Sequence, residues 1–189
     1  MSVSTDPQKI EELLTRGVEH VYPSREFLEA RLKEGKQLSL YLGIDQTGPD
    51  LHIGNSIQLR KLRQFQDLGH KVILLIGDFT GMIGDPTDKS AARKRLTREE
   101  VLKNAENYKV QASKILDFNG KNPVELKYNS EWLSKLDFNE VIEVAAHFTV
   151  QQMLERDMFD LRMKEGKPIH LHEFLYPLMQ GYDCVAMNV

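Results

Sequence analysis

The sequence predicts an α/β protein with helices packed over a parallel sheet, and three stretches carry that prediction. Leu38, Leu40, Leu42 and Ile44 alternate with Ser39, Tyr41, Gly43 and Asp45, the period-2 pattern of a strand. Val72-Ile73-Leu74-Leu75-Ile76 is continuously apolar, as in a parallel strand covered on both faces. Between them, Ile57, Leu62, Phe65 and Leu68 fall within an arc of about 140° at about 100° per residue, the mark of an amphipathic helix. Leu59 lies at the fringe of that arc. A right-handed strand–helix–strand unit puts both strand ends on one side.

A chain of 189 residues with 41% apolar and 28% charged residues suits one soluble globular domain. The net charge of −3 provides no global field for nucleic acid, so any RNA contact must be local. One cysteine, Cys184, excludes an internal disulfide and fits a reducing cytoplasm. No signal peptide and no membrane-spanning run is seen, so a cytoplasmic protein is expected.

The remaining elements follow from caps and breakers. Asp6-Pro7 reads as N-cap and first helical residue of a helix carrying Ile10, Leu13 and Leu14 to Gly17. Ser24 opens a second, which Gly35 stops. Thr97 and Glu100 form a capping box for a long helix with Val101, Ala105, Tyr108, Ala112, Ile115 and Leu116 on one face. A short strand is expected from Pro123 to Tyr128, then a helical turn with Ser130 and Trp132. Asp137 and Glu140 cap a helix bearing Val141, Ile142, Val144, Ala145 and Phe148, and Thr149 starts another with Val150, Met153 and Leu154. With Met158, Phe159, Leu161 and Met163 these apolar surfaces pack a core or form a subunit interface. His170 and His172 alternate without an evident third ligand, so no metal site is expected.

Chemistry concentrates where the strands end. Tyr41 and Asp45 point to the same face of the first strand, which leads through Gly48-Pro49-Asp50 into His52-Ile53-Gly54-Asn55. A helix starting there aims its free N–H groups and positive dipole end at the sheet crevice, a site for an anion, flanked by His52 and Asn55. Neither a Gly-x-Gly-x-x-Gly nor a Walker-type Gly-Lys-Ser is present. The second strand runs into Gly77, Gly81 and Gly84, which allow close backbone approach to a ligand, with Asp85 as a carboxylate at the same edge. Lys89, Arg93, Lys94 and Arg95 then form a solvated charge run or a phosphate-handling loop. Near the end, Tyr176, Gln180 and Asp183 stand at i, i+4 and i+7, within roughly 60° of one another on one helical face. A phenol, an amide and a carboxylate in one line form either a cup for a small polar ligand or an exposed stripe. Pro177 marks a kink or the helix's first turn.

His52-Ile-Gly-Asn55 resembles the first signature of class I aminoacyl-tRNA synthetases, with Asn55 in place of the common His, as in tryptophanyl enzymes. Together with Tyr41-x-Gly43-x-Asp45-x-Thr47, Thr80-Gly-x-Ile-Gly-Asp85-Pro86 and Tyr176-x-x-x-Gln180-x-x-Asp183, it makes the chain, from about residue 8 onward, similar to bacterial-type tyrosyl-tRNA synthetases. The resemblance implies a Rossmann-like nucleotide-binding fold. It implies that Tyr41 and Asp183 bind the hydroxyl of L-tyrosine, and Asp85, Tyr176 and Gln180 its ammonium group. Gly43, Asp45, Thr47, His52, Gly54 and Asn55 would line ATP and the adenylate. The catalytic set would be His52, Asn55, Thr47, Lys89 and Arg93, the last two drawing off pyrophosphate. Gln46 stands where that family usually has Pro.

The implied partners are L-tyrosine, ATP with Mg2+ as substrate complex and tRNA(Tyr), with no tightly bound cofactor, no resident metal and a homodimer expected. The family's Lys-Met-Ser-Lys-Ser signature is absent; Arg162-Met163-Lys164-Glu165 does not match it. The expected organisation is therefore a partial catalytic domain, a fragment. Residues 1–36 would be N-terminal helices, 37–119 the first half of the nucleotide fold, and 120–170 a helical insertion and dimer interface. Residues 171–189 would hold the tyrosine-binding helix and a truncated strand. Two rivals remain: a tryptophan-activating relative, and a non-catalytic module derived from a synthetase.

Overall fold

A computed structural model describes residues 2–45, 50–83 and 97–189. In chain order its elements are α1 (Pro7–Thr15), α2 (Arg25–Lys33), β1 (Ser39–Ile44), α3 (Ile53–Asp67), β2 (Lys71–Ile76), α4 (Thr80–Ile83) and α5 (Arg98–Ala112). There follow β3 (Glu125–Tyr128), α6 (Ser130–Leu133), α7 (Phe138–Ala146), α8 (Val150–Leu154), α9 (Asp157–Lys164), a 3-10 turn (Leu171–Phe174) and α10 (Leu175–Met187). The described chain divides into two compact units. One comprises 2–44, 50–76 and Lys103–Lys127; the other comprises Asp45, 77–83, 97–102 and Tyr128–Val189.

The first unit holds the sheet, with strand order β1-β2-β3. β1 and β2 are parallel, as expected, and Tyr41 pairs with Ile73, Gly43 with Leu75 and Ile44 with Ile76. Every residue from Val72 to Ile76 is buried, which is why that strand is apolar throughout. Ile44, Val72 and Leu74 pack with Leu59 and Leu62 of α3, Tyr108 and Ala112 of α5, and Leu116 and Val124. Ile10, Leu13 and Leu14 of α1 close a second cluster with Leu32 and Leu68. Asp6 caps α1 through the N–H groups of Gln8 and Lys9, with Pro7 at the first position. Gly17 and Gly35 follow α1 and α2 at φ 66° and 69°, a left-handed conformation that stops each helix at no steric cost.

The buried face of α3 differs from expectation. It centres on Leu59, Leu62 and Gln66, whereas Ile57 is 62% exposed. Gln66 is buried with its hydrogen bonds made: its Nε2 donates to the carbonyls of Asp117 (2.6 Å) and Asn122 (2.7 Å), and its Oε1 accepts from the Asp117 N–H (3.1 Å). A polar residue with its hydrogen bonds satisfied takes a core position that an apolar count does not assign to it.

In the second unit the capping boxes hold. Thr97 pairs with Glu100, Asp137 with Glu140, and Thr149 with Gln152. Met153 and Phe159 are buried, but α7 buries none of its residues, and Phe138, Ile142 and Phe148 are exposed. For α7 the core-packing expectation is not met. The C-terminal stretch is a second correction. Val185 to Met187 continue α10 as helix, and Asn188 ends it in the left-handed region at φ 54°. The apolar residues there read equally as strand or helix by composition, and the preceding helical turns settle which. Pro177 lies in the first turn of α10, where its missing N–H costs nothing. Arg162 of α9 pairs with the buried Glu173 in the 3-10 turn and also donates to the Pro168 carbonyl, tying the approach to α10 in place.

His70 is fully buried in the first unit; its Nδ1 accepts the Leu38 N–H at 3.2 Å, while Nε2 has no partner among the described residues. Burial holds its imidazole below the usual 6.5. The unfolded chain therefore binds more protons just below that value, so this group's contribution to stability is present above pH 6.5 and is lost as pH falls through the lower folded value. Thermal melts from pH 7.5 downward are expected to show this loss. His70→Phe should remove it, at a cost of about 1–3 kcal/mol at neutral pH because the Leu38 N–H is left unpaired.

Candidate active site

Asp45 follows the last residue of β1, Gly77 the last of β2, and both belong to the second unit. Asp45 accepts hydrogen bonds from two hydroxyls, Thr80 to Oδ1 (2.7 Å) and Tyr176 to Oδ2. Gly77 is required beside them. A Cβ there would lie 1.9 Å from Asp45 Oδ1 and 2.5 Å from Thr80 Oγ1. The Thr80 oxygen in turn accepts from Asn129 Nδ2 at 3.1 Å, and Asn129 Oδ1 accepts the Phe79 N–H at 3.0 Å. Asn129 is 1% exposed, so its amide orders this corner from within.

Asp183, on α10 seven residues after Tyr176, is 4% exposed. Its Oδ1 accepts the Trp132 indole N–H at 2.7 Å. Burial pushes the Asp183 carboxyl up to about 6 from its usual 3.8; hydrogen bonds from Trp132 and Asn129 oppose the rise, and the charge of Asp45 adds to it. At neutral pH the group is thus an ionised acceptor in a site largely closed to water. Asp78, 2% exposed, accepts both the Ser130 N–H (2.9 Å, Oδ1) and the Ser130 hydroxyl (2.6 Å, Oδ2) at the start of α6.

Of the expected ligand-binding row on α10, Asp183 is buried, Tyr176 half-buried and Gln180 exposed, so the three differ in solvent access despite sharing a face. Thr80, Asn129 and Trp132 are the site's additional members. Thr80 opens the Thr80-Gly-x-Ile-Gly-Asp85-Pro86 stretch, but for Asn129 and Trp132 the sequence offered only a helical turn, since their partners lie about fifty residues away. Thr47, Asp85, Lys89 and Arg93 lie outside the described residues.

The first unit contributes a separate group of expected residues. His52 precedes α3, and its N–H donates to Asn55 Oδ1 at 3.0 Å, while the Asn55 N–H donates to the His52 carbonyl at 3.0 Å. Asn55 therefore works as the capping partner of the helix start. The His52 ring folds over Gly54, where a Cβ would stand 2.9 Å from the imidazole. Gln111 of α5 fixes the approach: its Oε1 accepts the Leu51 N–H (2.8 Å) and its Nε2 donates to Asp50 (2.7 Å), which also accepts from Asn107. Tyr41 is half-buried on β1, and a Cβ at Gly43 would be in ordinary contact with its ring at 3.8 Å. Among the described residues no group of His, Cys, Asp and Glu is arranged to hold a metal ion, and no helix is long and apolar enough to cross a membrane.

Two parallel strands joined through a helix and flanked by helices define a Rossmann-like class of α/β protein. The family model described as tRNA synthetases class I (W and Y) matches residues 33–189, and the chain belongs to that family. It is 53% identical over 182 residues to the tyrosine–tRNA ligase of Carboxydothermus hydrogenoformans, covering 94% of this chain and 43% of the relative. It is 55% identical over 175 residues to tyrosine–tRNA ligase 2 of Vibrio vulnificus, covering 93% and 43%. Among solved structures, a C-terminally truncated mitochondrial tyrosyl-tRNA synthetase of Aspergillus nidulans matches with a TM-score of 0.80 at 28% identity, over 93% of this chain and 52% of that one. The tyrosyl-tRNA synthetase of Archaeoglobus fulgidus complexed with L-tyrosine shares the fold, with a TM-score of 0.68 at 22% identity over 97% and 53%. The chain spans less than half the length of the curated relatives it matches.

Two outcomes test this geometry. Because the folded Asp183 takes up a proton more readily than the unfolded one, it contributes stability that grows as pH falls through about 6 toward 3.8. That slope is opposite to His70's. Asp183→Asn should abolish it, a change of about 1–3 kcal/mol across the window, and melts of the His70 and Asp183 variants separate the two. Gly77→Ala must drive Asp45 away from Thr80, and should lower stability by about 1–3 kcal/mol in the same melts.

Proposed function

We propose that the chain carries the amino-acid-selecting and ATP-binding part of a tyrosine–tRNA ligase, which activates L-tyrosine with ATP and transfers it to tRNA(Tyr). The observation that carries this reading is the buried, ionised Asp183 beside Trp132. The indole and Asn129 donate to it, and a phenol hydroxyl is a donor of the right kind for a further lone pair. Phenylalanine offers no such donor and would leave the buried carboxylate underpaired, which costs more than the hydrogen bond itself yields. Tyr41 would complete the phenol's partners.

The ammonium group of the amino acid would meet Tyr176. That hydroxyl gives its proton to Asp45 and so offers lone pairs toward a cation. Gln180 and Asp85 would supply further acceptors. ATP, as its Mg2+ complex, would lie with its phosphates toward the α3 N-terminus, His52 and Thr47, with Asn55 toward the ribose and Lys89 and Arg93 toward the departing pyrophosphate. The exposed surface at Gly43 leaves room for the nucleotide. Catalysis is then by placing the tyrosine carboxylate against the α-phosphate and neutralising growing charge. The exposed apolar residues of α7, with Leu161 and Met163 of α9, suit a homodimer interface in a cytoplasmic enzyme.

Calorimetric titration with L-tyrosine, L-phenylalanine and L-tryptophan tests the reading. Tyrosine should bind selectively, and Asp183→Ala should weaken it by about 10–100-fold. A preference for tryptophan would overturn tyrosine selection in favour of the other branch of the family. Binding of tyrosine without any ATP–pyrophosphate exchange would favour a non-catalytic module.

A further inference from the structure

Asp78 has no role in the chemistry described above, yet it is a nearly fully buried carboxylate. Burying such a group is unfavourable unless its hydrogen bonds are made, and both of those seen go to one residue, Ser130. Ser130 is the first residue of α6, which has only four residues and cannot hold itself as a helix. The segments 77–80 and 129–132 are joined by four side-chain hydrogen bonds: two from Ser130 to Asp78, one from the Phe79 N–H to Asn129, and one from Asn129 to Thr80. At the end of this stitched turn stands Trp132, whose indole N–H meets Asp183.

We propose that Asp78 is a positioning residue for amino-acid selection, acting through Ser130 to fix the α6 turn so that Trp132 and Asn129 hold the Asp183 carboxylate where a phenol can reach it. The inference rests on the tyrosine reading, because selection is what it is said to serve. A carboxylate suits this role because it accepts from the backbone and the hydroxyl of Ser130 at once, and so sets both the position and the rotation of the turn. Asp78 itself touches no substrate.

Trp132 is the chain's only tryptophan, so its emission reports on this corner directly. The chain and its Asp78→Ala, Asp78→Asn and Ser130→Ala variants are titrated with L-tyrosine and with L-phenylalanine, with folding checked by circular dichroism. Asp78→Ala should weaken tyrosine binding by about tenfold or more and phenylalanine binding by less than about twofold, and should move the Trp132 emission to longer wavelength before any ligand is added. Asp78→Asn keeps an acceptor for the Ser130 N–H and should restore much of the selectivity, with Ser130→Ala between the two. A folded Asp78→Ala chain with unchanged discrimination, or with equal loss for both amino acids, overturns the proposal. Should Asp78→Ala fail to fold, the same ratio in Ser130→Ala and Asp78→Asn decides. If the unaltered chain shows no preference for tyrosine, the tyrosine reading fails; the ligand-free emission then still tests the strut, and an unmoved spectrum overturns it.

Discussion

A carboxylate removed from water persists only where donors replace the water, and Asp183 imposes that constraint on the whole second unit. Its indole donor comes from a four-residue helix that lies some fifty residues from it along the chain. That helix is held by Asp78 and Asn129, and Asn129 is in turn tied to Thr80. The hydrogen-bonding residues of this corner thus serve one buried negative charge and its neighbour Asp45. Burial raises the Asp183 carboxyl's affinity for a proton, and the hydrogen bonds from Trp132 and Asn129 oppose that rise without cancelling it.

Asp45 is the better-satisfied partner, with a hydroxyl on each oxygen. Its place beside Gly77 explains why that position has no side chain, since any Cβ would occupy the space of the Asp45–Thr80 hydrogen bond. The same reasoning sets two glycines of the first unit apart from Gly77. At Gly54 a Cβ would meet only the exposed His52 ring, which can swing aside, and at Gly43 a Cβ would be in ordinary contact with the described residues around it.

Much of the fold was legible from sequence because its signals are local. Asp6-Pro7, Thr97 with Glu100, and Asp137 with Glu140 announce helix starts through bonds spanning at most three residues, and each formed as expected. Val72 to Ile76 announced a covered strand by composition alone. Failures came where a long-range contact outweighed a local pattern. Gln66 joins the buried face of α3 because its amide reaches carbonyls at Asp117 and Asn122, which lie about fifty residues away. Residues 185–189 looked like strand, but no neighbouring strand pairs with them among the described residues and the helix before them simply continues.

The sequence alone determined the order of elements, the parallel pair of strands, and the row of Tyr176 and Asp183 on one helical face, because backbone periodicity and capping act within a few residues. Only the tertiary structure decided which polar residues are inside. It buried Asp183 and Asp78, left Gln180 in solvent, and brought Asn129 and Trp132 to the carboxylate. Burial and hydrogen-bond partnership depend on which segments meet in space, and no spacing along the chain encodes a meeting between residues some fifty positions apart.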